Sequence, residues 1–149
     1  MSVKEKLKNV RLVDNLEKEV KVDYLWSKYA IFIIGLGVMS IDDASEINEV
    51  IFKKYGNNKD VTVSMIARTG EMPDFVPWDF VRTEVTKRTQ EGEIALVDFD
   101  DSIVNILELK LEDVLTCVKV FNADGEEKLT MYNAEIKDIC NEIEKVLGE

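Results

Sequence analysis

Side chains able to do chemistry are few in this chain, and one type is missing: its 149 residues include no histidine. That removes the usual general base near neutral pH, the central member of serine and cysteine triads, and the commonest transition-metal ligand. Cys117 and Cys140 are the only thiols. They lie too far apart for a Cys-x-x-Cys redox pair and are too few for a disulfide framework or a zinc site, so both are expected to be reduced and mostly buried. Carboxylates are more plentiful. Asp98, Asp100 and Asp101 stand together in VDFDDSI, and Glu108, Glu112 and Asp113 follow shortly after. In IFIIGLGVMS, Gly35 and Gly37 are spaced for a close backbone turn from a strand into a helix, whose N-terminus favours anions. Phe75, Trp78 and Phe80 sit beside two prolines in EMPDFVPWDF, and aromatic side chains on loops are disproportionately partner contacts.

The segment IFIIGLGVMS resembles the nucleotide-binding start of the β-hydroxyacid dehydrogenases, where a strand runs into a G-x-G-x-x-G turn and a helix. The resemblance implies a cofactor held over Gly35–Ser40. The sequence departs from it in having Ser40 at the third glycine position, and Asp42 and Asp43 place negative charge where phosphates would lie. A plain strand-to-helix turn is the preferred reading. VDFDDSI resembles the first motif of the haloacid-dehalogenase-type phosphatases, which implies Asp98 as nucleophile and Asp100 as proton handler around Mg²⁺. The segment after Ile103 reads as a hairpin and a helix rather than the lysine-bearing segments of that family. A solvated acidic turn is expected, with no catalytic, cofactor or metal site.

Net charge is −11, and residues 91–149 hold five Lys/Arg against sixteen Asp/Glu, so this stretch accounts for the whole imbalance. An acidic surface repels phosphate backbones, which argues against nucleic acid, and speeds association with a basic protein. The apolar stretch Tyr29–Met39 is well short of the ~20 residues that cross a membrane. MSVKEKLKNV has no apolar leader core, so a cytoplasmic location is expected. These features predict a small acidic, non-catalytic protein-binding domain, of the immunity or inhibitor type that neutralises a basic partner such as a nuclease toxin. Asp98, Asp100, Asp101, Glu108, Glu112, Asp113, Phe75 and Trp78 are its expected partner-binding residues. The alternatives are a nucleotide-binding enzyme or fragment using the Gly35–Ser40 turn, and a structural or oligomerisation domain.

The elements that must position these residues read as a single α+β domain over 1–149. The expected sheet is mixed and mostly antiparallel, with two or three helices and an amphipathic C-terminal helix packed on it. Tyr29–Ile34 (YAIFII) is a strand covered on both faces. Residues 41–55 are a helix with Ser40 as N-cap, and Asp60–Arg68 alternates as a strand. A first hairpin is expected around Asp14–Asn15, and residues 78–89 favour helix. Glu93–Phe99 and Ile103–Leu109 read as strands flanking Asp100–Asp101. Leu115–Phe121 and Lys128–Tyr132 form a hairpin on Asp124–Gly125. The last helix, capped by Asn133, presents Ile136, Ile139, Cys140, Ile143, Val146 and Leu147 as one stripe. In element order this C-terminal half loosely resembles the end of a pleckstrin-homology-like domain.

Overall fold

Alternation along YAIFII organises the molecule. In the computed structural model, which describes residues 1–37, 40–70, 72 and 75–148, this run is strand β2, Tyr29–Gly35. Successive side chains of a strand point to opposite faces, so Ile31 and Ile33 enter one core while Ala30, Phe32 and Ile34 enter another. All five are essentially inaccessible to solvent.

The elements run α1 Val3–Leu7, β1 Val13–Asp14, a 3₁₀ turn Val22–Leu25, β2, α2 Ile41–Tyr55, β3 Val61–Arg68, α3 Trp78–Lys87 and β4 Ile94–Asp98. There follow α4 Ser102–Ile106, β5 Thr116–Asn122, β6 Glu127–Tyr132 and α5 Ile136–Leu147. One six-stranded sheet has the order β1-β4-β3-β2-β5-β6. The pairs β2–β3 and β3–β4 are parallel, and β1–β4, β2–β5 and β5–β6 are antiparallel. The expected α+β class and mixed, mostly antiparallel sheet are therefore present, with five α-helices among the described residues rather than two or three.

Helices α2 and α5 cover one face of the sheet, through Ala44, Ile47, Ile51 and Tyr55 on the first and Ile139, Ile143 and Val146 on the second. Val81 and Val85 of α3 pack against Met65, Ala67 and Ala95. On the other face, Leu7, Trp26, Ile103, Val104 and Leu107 close over Phe32, Ile34, Leu96 and Phe121. Trp26, Phe32 and Phe121 meet at ring separations of 5.4–5.9 Å, and the Trp26 indole donates to the Asn122 carbonyl at 2.8 Å.

Four local expectations change. The first hairpin is mostly loop: Val13 bridges Glu19, β1 pairs with β4, and Val22–Leu25 is a 3₁₀ turn. Residues 103–106 of the expected strand Ile103–Leu109 belong to α4 instead. Ser40 precedes α2 but makes no side-chain cap bond to it, bonding back to Gly37 instead. Asn133 does not cap α5, whose N-cap is Glu135. At φ +50° its side-chain oxygen accepts from the Leu115 and Thr116 amides and its amide donates to the Asp113 carbonyl, so it locks the start of β5 to the end of β6.

Candidate functional site

In an open sheet, ligands gather outside the carboxyl ends of the parallel strands, where loops diverge around exposed backbone. Here that edge collects the ends of β2, β3 and β4. Because β5 runs antiparallel to β2, with Thr116 opposite Gly35, the same edge collects the start of β5 and the segment leading into α5. At the β2–α2 turn, an added Cβ on Gly35 would stand 3.1 Å from the Ala44 Cβ, so this glycine allows the helix to lie against the strand. Ser40 is fully buried; its hydroxyl accepts from the Gly37 amide at 2.9 Å and donates to the Gly37 carbonyl at 2.8 Å. The turn spends these groups on itself rather than offering them to a phosphate. Val38 and Met39 lie outside the described residues.

Arg68, the last residue of β3, ties the edge together. Its Nε and Nη2 donate to the two carboxylate oxygens of Asp101 at 2.8 and 2.9 Å, and Nη1 donates to the Leu36 carbonyl at 3.2 Å. This two-pronged bond fixes the β4–α4 turn to the ends of β2 and β3 and holds the Asp101 carboxyl below the usual carboxylate range. Asp98 closes β4. It is 1% exposed, and its two oxygens accept from the Ile103 and Val104 amides at 3.2 and 3.0 Å. Burial pushes its carboxyl up, more strongly than those two amides pull it down. Asp100 is exposed and accepts from the Ser102 amide at 3.1 Å; its hydrogen bonds to Ser102 pull its carboxyl down.

The eight residues expected to bind a partner are thus divided. Asp98, Asp100 and Asp101 shape one turn, and the phosphatase-like arrangement does not form, because the carboxylate of Asp98 is buried against backbone amides. Among the described residues no cluster of three or more acidic or cysteine side chains could hold a metal ion. Glu108, Glu112 and Asp113 are exposed on the connection from α4 to β5. That connection ends three strand spacings from β4, a distance of roughly 14 Å. Phe75 is 84% exposed, while Trp78 is half-buried with its ring 4.4 Å from that of Phe99.

Sequence reasoning missed the difference between the two thiols. Cys117 of β5 is fully buried, and burial pushes its thiol up to about 12. Cys140 of α5 is only partly covered. It sits one helical turn before Glu144, which takes a 2.7 Å bond from Lys54 at the end of α2. Charge on Cys140 is felt by both Lys54 and Tyr55 and raises the proton affinity of each, although the Glu144 bond is the main cause at Lys54 and burial at Tyr55. The apolar spacing of α5 placed Cys140 in the core stripe; nothing in that spacing shows where α2 leaves the stripe uncovered.

No family model matches the sequence, and no curated protein matches it. Solved structures do match the fold. The pneumococcal exposed lipoprotein thioredoxin from Streptococcus pneumoniae superposes with a TM-score of 0.70 at 15% identity, covering 91% of this chain and 98% of that one. A secreted Mycobacterium tuberculosis disulfide oxidoreductase gives 0.65 at 15% identity over 95% and 98% of the two chains. Copper-bound ScoI from Arabidopsis thaliana gives 0.59 at 15% identity over 92% and 94%. These neighbours are redox and copper-binding proteins, and they overturn the expectation of a non-catalytic immunity or inhibitor protein. What they share with this chain is architecture, and the fold is thioredoxin-like.

Proposed function

We propose that this chain is a thioredoxin-fold protein that carries out thiol–disulfide exchange through a single cysteine, Cys140. The observation that supports this most is the division of the two thiols: Cys117 is sealed and held protonated, whereas Cys140 is only partly covered. The thiolate is the nucleophile in such exchange. The chain has no Cys-x-x-Cys pair and no cysteine in its β2–α2 turn, so the second thiol must come from outside. Cys140 as thiolate attacks one sulfur of a disulfide R–S–S–R′, forming Cys140–S–S–R and releasing R′–S⁻, which takes a proton from water. An external thiolate R″–S⁻ then attacks the R sulfur of the mixed disulfide, giving R–S–S–R″ and restoring the Cys140 thiolate. No net oxidant or reductant is consumed. A reducing, cytoplasmic setting, which keeps Cys140 free between turnovers, suits this reading.

The test uses glutathione and a small dialkyl disulfide, with mass spectrometry of the trapped protein. The expected result is one glutathionyl group on Cys140, none on Cys117, and loss of turnover in Cys140→Ser but not in Cys117→Ser. Turnover unchanged by Cys140→Ser, or no faster than that of free cysteine, overturns the proposal.

A further inference from the structure

The start of the chain carries charge opposite in sign to that of the whole: residues 1–30 hold seven Lys/Arg against five Asp/Glu. This segment walls a hollow of about 530 Å³, a volume in the range of small-molecule sites. The walls are the end of α1 and the runs 10–12 and 19–23. The two runs are held together by the Val20 amide donating to the Leu12 carbonyl at 2.9 Å, by the Val13–Glu19 bridge and by the 3.0 Å ion pair of Arg11 with Glu19. The apolar lining is Leu7, Leu12 and Val22, all buried, with half-buried Val10 and Val20. The charged lining is exposed: Lys8, Arg11, Glu19, Lys21 and Asp23. Arg11 and Glu19 neutralise each other, whereas Lys8 and Lys21 form no ion pair among the described residues and outnumber Asp23.

We propose that this hollow binds a small amphipathic carboxylate, its alkyl body against the leucines and valines and its anionic head against Lys8 and Lys21. Apolar lining with a few charged groups at the rim is the usual make-up of such a site, and the sign of the rim selects the head group. A second hollow of about 440 Å³, between the first turns of α2 and α5, supplies the contrast within the same molecule. It is also lined by apolar side chains, Ile47, Leu115 and Ile136, but its charges are Asp43, Glu46 and Glu135 against Lys137. Similar apolar lining with the opposite sign leaves the N-terminal hollow as the one suited to an anion. The −11 charge of the whole chain draws cations and repels anions, so a preference for the carboxylate over an ammonium isolates the local rim. The inference does not depend on Cys140.

Isothermal titration at physiological salt with decanoate, decanol and decylammonium, each below its micellar range, tests it. One decanoate should bind per chain, about tenfold more tightly than decanol, and decylammonium should bind less tightly than decanoate. The double variant Lys8→Gln/Lys21→Gln, with both sites exposed, should erase the advantage of decanoate over decanol. Val20→Trp, which fills the hollow, should abolish decanoate binding, whereas Glu46→Gln/Glu135→Gln in the second hollow should leave it unchanged. No binding of decanoate, equal binding of decylammonium, or an advantage over decanol that survives loss of the two lysines overturns the inference.

Discussion

The β4–α4 turn and the α4–β5 connection each carry three acidic residues, yet the two regions use them in opposite ways. In the turn, Asp98 is buried and holds two helix amides, Asp101 grips Arg68, and Asp100 caps Ser102. In the connection, Glu108 and Asp113 stand exposed on residues of positive φ, +55° and +59°, and Glu112 lies between them in solvent. Identical charge is structural in the first place and peripheral in the second. What decides is whether backbone amides or a cation are within reach, not how many acids the chain places nearby.

Removing the carboxylate from each region should separate them most. Asp98→Ala leaves two amides of α4 without their acceptor and should cost about 2–4 kcal/mol by urea denaturation. Glu112→Gln should change the midpoint by less than ~0.5 kcal/mol. Comparable losses at the two sites would erase the contrast. Arg68→Met should come next, at about 1–3 kcal/mol, between the values of exposed and fully buried ion pairs. Arg68→Lys, which lacks the fork, should restore only part of it.

The turn also predicts two pH profiles of opposite sign. The proton on Asp98 is held more tightly in the folded chain than in the unfolded one, so its ionisation lowers stability as pH rises from the ordinary Asp range through the raised value. The cost of Asp98→Asn should therefore be greatest in acid and shrink toward neutrality. Asp101 behaves conversely. Arg68 lowers its proton affinity, so its contribution is in place above the ordinary Asp range and is lost as pH falls through the lowered value. Asp101→Asn should cost most at neutral pH. Urea midpoints from about pH 3 to pH 7 would show whether the curves diverge. The smallest effect belongs to the connection, where Glu108→Gly or Asp113→Gly should stabilise by about 0.5 kcal/mol, because glycine accepts positive φ without a Cβ clash.

Periodicity made much of this fold readable. YAIFII, the helix over 41–55 and the C-terminal stripe are long, regular signals that tertiary context reinforces. Residues 103–109 were misread because Ile103, Val104 and Ile106 carry strand propensity. Asp98 reaches forward to the Ile103 and Val104 amides and makes the turn helical, a cap supplied from outside the element. The site was less readable for the same reason. Arg68 and Asp101 meet across 33 positions, and Cys140 meets the end of α2 only after both helices have docked on the sheet. No local pattern encodes such meetings.

The sheet order has a consequence for biosynthesis. Strand β2 gains one neighbour, β3, soon after its own synthesis, but the other, β5, begins roughly eighty residues later. At about 5–20 residues per second, the most apolar strand waits roughly 4–16 s with one row of amides and carbonyls unpaired. During that interval the nascent chain carries an open strand edge able to pair with another chain.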